Sequence, residues 1–184
     1  MSGPPATESG NRGGGVRDEE AVAALLRREP LGPFLVVRRR PDGAPVVIEN
    51  APFLFDGTPM PTRYWLVDPL LRDAVSRLEA AGGVRKAEAE VDPVALADAH
   101  RRYAAEREAT IEPDQPGPRP SGGVGGTRTG VKCLHAHLAW WLVGGDDPVG
   151  EWVAPQIAPA LAEVGLMPQN PGQVLGEGRG PGAA

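Results

Sequence analysis

Three Asp-Pro dipeptides, at positions 68–69, 92–93 and 147–148, constrain this chain more than any other feature. An aspartate carboxylate accepts hydrogen bonds from the free amides of a helix's first turn. Proline is tolerated at the first helical position, where its missing N–H is not needed. Each dipeptide therefore predicts a helix start. The first helix runs to about Ala81, with Leu70, Leu71, Ala74, Val75 and Leu78 on its apolar face and Gly82 as its stop. The second runs from Val94 to about Ala109 and is strongly charged on one side, while Pro155 and Pro159 limit the regularity of the short third one. Two further helices complete the set. One spans Asp18–Arg28, with Asp18, Glu19 and Glu20 in its first turn, Arg27 and Arg28 in its last, and Val22, Leu25 and Leu26 as its buried stripe. The other spans about Val131–Val143 and ends at Gly144-Gly145.

The strand signal is local and strong. Phe34–Val37 and Pro45–Ile48 are β-branched and aromatic runs separated by Arg40-Pro41-Asp42-Gly43, a turn sequence, so a β-hairpin is expected. Thr62–Val67 is a third strand candidate. The predicted class is α+β, a small antiparallel sheet of about three strands packed against four to five helices.

The chain holds 25 glycines and 21 prolines, a quarter of its 184 residues, crowded into Ser2–Gly15, Pro113–Gly130 and the stretch after Pro168. This usage predicts disordered tails at 1–15 and 168–184 around one domain at 16–167, interrupted by a Pro/Gly loop at 113–130. Net charge is −5, and the tightest basic run, Arg38–Arg40, is three residues long. Bulk electrostatics therefore gives no reason to expect nucleic-acid binding. No stretch of about 18 apolar residues suggests a membrane span, and Met1–Gly15 does not read as an apolar signal segment. The single Cys133 excludes an internal disulfide. A cytoplasmic protein is expected.

The segment Gly122–Trp141, GGVGGTRTGVKCLHAHLAWW, concentrates the chemistry: a Gly-rich loop, two cations, a thiol and two imidazoles. Two readings stand side by side. In the first, Cys133 and His137 lie one helical turn apart and share a metal ion. His135 joins them if the helix starts only after Cys133, and a further ligand comes from Asp68, Glu49 or His100. The plain alternative makes Cys133 a small buried hydrophobe and the histidines ordinary helix residues. In the second reading, the loop and helix start bind an anion through free amides, with Arg128 and Lys132 adding charge. The plain alternative is a flexible loop with two solvated cations. The segment is not a phosphate-binding loop of the mononucleotide type: Val131 stands where lysine is required, and no Ser or Thr follows Lys132. Tyr103, Glu106 and Arg107 fall on one helix face and either line a pocket or form a solvated face. Of Trp140 and Trp141, one is expected in the core and the other free for a partner. No Ser-His-Asp order, HExxH or GxSxG motif is present.

The chain resembles the bacterial family called domain of unknown function 501, common in actinobacteria. The resemblance is carried, in order, by Arg40–Pro45 (RPDGAP), Asp56–Leu66 (DGTPMPTRYWL), Ser76–Ala80 (SRLEA), Ala105–Ile111 (AEREATI), Val131–His135 (VKCLH) and Gly144–Gly150 (GGDDPVG). It implies no established activity. Family members are often encoded near a septum-formation initiator and an exopolyphosphatase. Many carry Cys at the position of Arg40 and Cys or His at that of Asp68. With Cys133 and His135 this implies a metal-ligand set, for zinc or iron. Here Asp68 retains ligand chemistry but Arg40, a permanent cation, does not.

Three functions are therefore expected in order. The first is a binding domain for a small anionic ligand, with or without a metal alongside, using Arg40, Asp68, Arg128, Lys132, Cys133 and His135, with Tyr103 and Arg107 as further candidates. The second is a non-catalytic partner of the division or envelope machinery. The third is an enzyme with Cys133 as nucleophile and His137 as base.

Overall fold

A computed structural model describes residues 16–166; the expected tails at 1–15 and 168–184 lie outside the described residues. In chain order the elements are α1 (Val16–Leu26), β1 (Phe34–Arg39), β2 (Pro45–Asn50), β3 (Tyr64–Leu66), α2 (Pro69–Ala80), α3 (Gly83–Glu90), α4 (Pro93–Glu108), α5 (Leu134–Leu142), α6 (Pro148–Gln156) and α7 (Ala158–Glu163). The class is α+β, as expected.

All three Asp-Pro starts form. Asp68 accepts from the Leu71 amide at 3.0 Å and Asp92 from that of Val94 at 2.9 Å. Asp147 accepts from Val149 and Gly150 at 2.8 and 3.0 Å. The hairpin also forms, with Gly43 in the left-handed region at φ 91° and its amide donating to the Arg40 carbonyl at 2.9 Å.

The sheet order is β1-β2-β3, antiparallel throughout. The central strand β2 is buried from Pro45 to Ile48 because both of its faces are covered. Ile48 joins Val22, Phe34 and Val67 in a small cluster that includes the apolar side of α1. Val46 and Val47 belong to the large cluster with α2, α4, α5, α6 and α7. Trp140 is its largest fully buried side chain, packed edge-on against Tyr103 at 5.2 Å between ring centres.

Seven helices stand among the described residues, two more than the sequence suggests. Gly82, expected to end a helix, does so in the left-handed conformation (φ 83°), but the chain re-enters helix at once as α3. The last helical stretch divides at Ile157, just after Pro155, into α6 and α7. α1 stops at Leu26 rather than Arg28. Arg27 takes φ 56°, and the Arg28 amide closes back on the Ala23 carbonyl at 3.2 Å. α5 starts at Leu134, three residues later than expected. Its approach is extended because outside carboxylates take the amides: Glu88 accepts from Val131 at 2.7 Å and Glu79 from Leu134 at 2.6 Å.

The Pro/Gly loop is pinned to α4. The buried Arg107 guanidinium donates to the carbonyls of Pro61, Pro120 and Gly122 at 2.9–3.1 Å. His100 accepts from the Val124 amide at 3.1 Å through Nδ1 and contacts the Gly130 carbonyl at 3.0 Å through Nε2. Gly123 passes so close that a Cβ there would fall 2.5 Å from the His100 ring, so this approach requires glycine. Gly125 is thereby brought to the edge of a cleft.

Candidate functional site

The cleft has a volume of about 510 Å³ and lies between β3, α2 and the approach to α5. Thr62, Tyr64 and Leu66 form one wall, Arg72 and Ser76 another, and Lys132, Cys133 and His135 a third. The late start of α5 builds the third wall. Cys133 is extended (φ −156°, ψ 144°) and sits just before the helix, so it and His135 line the same space.

Glu79 organises this wall. Its Oε1 accepts from the Leu134 amide at 2.6 Å, capping α5, and lies 3.1 Å from His135 Nδ1. On the other side of the ring, His135 Nε2 is 3.3 Å from Ser76 Oγ and 3.2 Å from the Arg72 carbonyl. Arg72 donates to the Leu25 carbonyl at 3.3 Å. Neither Arg72 nor Lys132 forms an ion pair among the described residues. Burial pushes the Cys133 thiol up, against the opposing pull of the Ala136 amide, which disfavours the thiolate a cysteine nucleophile needs. Burial likewise holds the Tyr64 phenol at about 12, so it stays protonated at neutral pH.

Of the residues singled out from the sequence, Lys132, Cys133 and His135 line the cleft; the others lie elsewhere. Asp68 is buried, and both its oxygens are engaged, one by the Leu71 amide and the other by Arg40 Nε at 2.5 Å. Arg40 is thus committed to an ion pair that ties the hairpin turn to the start of α2. Tyr103 is fully buried, its hydroxyl accepting from the Arg63 and Tyr64 amides at 2.6 and 3.2 Å. Arg107 serves the loop carbonyls. Arg128 is exposed on that loop.

His137 does not share a face with Cys133, which is outside the helix. It is 1% exposed and holds Asp147, with Nδ1 at 2.7 Å from Oδ2. It therefore does not reach Cys133 as a base. Glu49 pairs with Arg63 at 2.7 Å. Among the described residues no group of three or more His, Cys, Asp and Glu is arranged to hold a metal ion. Trp140 is buried, and Trp141 packs partly buried against the core, so the pair is no exposed platform.

Arg72, Ser76 and Glu79 were not anticipated. They follow one another at spacings of four and three along α2, a stripe beside Leu71 and Val75 about a quarter turn round the helix. That stripe is visible in the sequence, but its facing His135 is not. Among the described residues no helix is long and apolar enough to cross a membrane.

Compared with known proteins, the chain matches one family model, described as protein of unknown function (DUF501), over residues 36–155. No curated protein and no solved structure matches it.

Proposed function

Since the chain belongs to the DUF501 family, whose description assigns no activity, we propose from the geometry that it binds a small anionic ligand in the cleft between α2 and the start of α5. The observation that supports this reading is the meeting of two cations, Arg72 and Lys132, on one concavity, neither of them ion-paired among the described residues. Asp73 lies at the same opening and leaves the lining one positive charge in excess. Ser76 and His135 add hydrogen-bonding groups that discriminate a phosphate or carboxylate from a halide. The backbone turn at Gly125 also lines the cleft.

Titration of the full chain with inorganic phosphate, followed by calorimetry at low ionic strength, tests the reading. Lys132→Ala and Arg72→Ala are each expected to weaken binding about tenfold, the scale of one charged hydrogen bond. Raising salt is expected to weaken it further, because the opening is solvated. Equal affinity in the wild type and both variants would refute the site.

A further inference from the structure

Anion binding does not account for Glu79, nor for its linkage through His135 to Ser76 along the α2 wall. Ser76 Oγ, His135 and Glu79 form a linked series: 3.3 Å from hydroxyl to Nε2, then 3.1 Å from Nδ1 to the carboxylate. Ser76 and Glu79 stand three residues apart on α2, so one helix face presents both. His135 arrives from the second residue of α5, 59 positions beyond Ser76.

The roles follow from what each atom can donate. A carboxylate only accepts, so Glu79 holds the ring with its proton on Nδ1. The Leu134 amide fixes that carboxylate from a second direction. Nε2 is then left with a lone pair, and of its two neighbours only the Ser76 hydroxyl has a proton to give. The Arg72 carbonyl, 3.2 Å away, becomes a partner once Nε2 is protonated and so stabilises the imidazolium. Nucleophile, base and orienting acid thus stand in order, and the hydroxyl opens onto the cleft.

We propose that this cleft hydrolyses carboxylic esters bearing an anionic group, with Ser76 as nucleophile, His135 as general base and Glu79 as positioning residue. The proposal rests on the anion-binding reading, since Arg72 and Lys132 are what hold the substrate's charged end. In the first half-reaction Ser76 Oγ bonds to the ester carbonyl carbon while its proton passes to His135 Nε2. The tetrahedral intermediate collapses, the bond from carbon to the alkoxy oxygen breaks, and the alcohol leaves with the proton from Nε2. In the second, water gives a proton to Nε2 and attacks the acyl carbon. Collapse returns that proton to Ser76 Oγ and releases the carboxylic acid. The sum is ester plus water giving acid plus alcohol.

The test uses the full chain with a fluorophosphonate, which loses fluoride as it phosphonylates an activated serine, and with two chromogenic esters. These are 4-nitrophenyl acetate, which is neutral, and the 4-nitrophenyl monoester of succinate, which carries a free carboxylate. Peptide mapping is expected to place one phosphonyl group on Ser76, and Ser76→Ala is expected to lose both the label and the turnover. That serine is exposed on a helix, where alanine is well tolerated.

Glu79→Gln keeps an oxygen for the Leu134 amide but removes the charge. It is expected to lower kcat about a hundredfold with KM little changed, and to alter the acid limb of the pH–rate profile. A merely structural role would leave that limb in place. The succinate ester is expected to outrun the acetate about tenfold, and Lys132→Ala to abolish the preference.

No label on Ser76, or labelling unchanged in Glu79→Gln, overturns the proposal; phosphate binding in the same samples then shows that the anion site stands without the chemistry. Labelling of Ser76 with equal turnover of the two esters and no phosphate binding overturns the anion site, and with it the substrate class proposed.

Discussion

The Asp147 carboxylate joins two helices. It is 2% exposed and satisfies two amides of α6 together with the His137 imidazole. Replacing it by alanine leaves those three donors buried without acceptors. The expected loss is about 3–5 kcal/mol of unfolding free energy, as for other broken buried pairs. Urea denaturation of Asp147→Ala measures it, and a loss below about 1 kcal/mol would mean that water replaces the carboxylate. The capping half of this arrangement is legible in the sequence, since Asp-Pro announces it. The histidine half is not, because His137 and Asp147 come from different helices and only their packing brings them together. The same holds across the cleft. Lys132, Cys133 and His135 stand out as unusual residue types in one short segment. Ser76 and Glu79 are ordinary surface residues of an amphipathic helix until His135 meets them.

Among the elements, the Pro/Gly loop depends on α4 through His100. Desolvation is the largest influence on that imidazole and lowers its pKa from the ordinary 6.5; the Gly130 carbonyl opposes this, the neighbouring His137 adds to it, and Asp147 opposes it. A histidine held below its unfolded value contributes stability that is complete above about 6.5 and is lost as pH falls from there through its lower folded value. Protonation also turns Nδ1 from acceptor to donor, facing the Val124 N–H. Hydrogen exchange at the Val124 amide, corrected for its intrinsic rate, is expected to hold its protection above pH about 6.5 and to lose it as pH falls below that. In His100→Asn the protection is expected to be lower and nearly independent of pH. Unchanged protection in the wild type would sever the link. Helix starts and the hairpin were readable from local chemistry, but α3 was not. The Gly82-Gly83 pair signals a stop, and the sequence does not show that Gly83 starts the next helix packed so closely on Leu78 and Leu134 that a Cβ there would clash. The start of α5 lies later than local chemistry suggests for a related reason: Glu79, far away in sequence, takes the Leu134 amide that a longer helix would use, and Glu88 holds that of Val131.

At the scale of the whole molecule, β2 belongs to both apolar clusters, with Ile48 in the small one and Val46 and Val47 in the large one. Neither cluster can dissolve without exposing the same strand. The molecule is therefore expected to unfold in one transition. Trp65 packs against the small cluster and Trp140 lies within the large one, so variants retaining one tryptophan each report on the two sides. Their urea midpoints are expected to coincide with each other and with the loss of helical circular dichroism; separate midpoints would divide the molecule into two cooperative units. The bond from Leu134 to Glu79 spans 55 residues and has a further meaning in time. A ribosome adding about 5–20 residues per second leaves α2 waiting on the order of several seconds for its partner. Throughout that interval Ser76 and Glu79 are present without the imidazole between them. On the proposed chemistry, the site is incomplete on the nascent chain until its second half arrives.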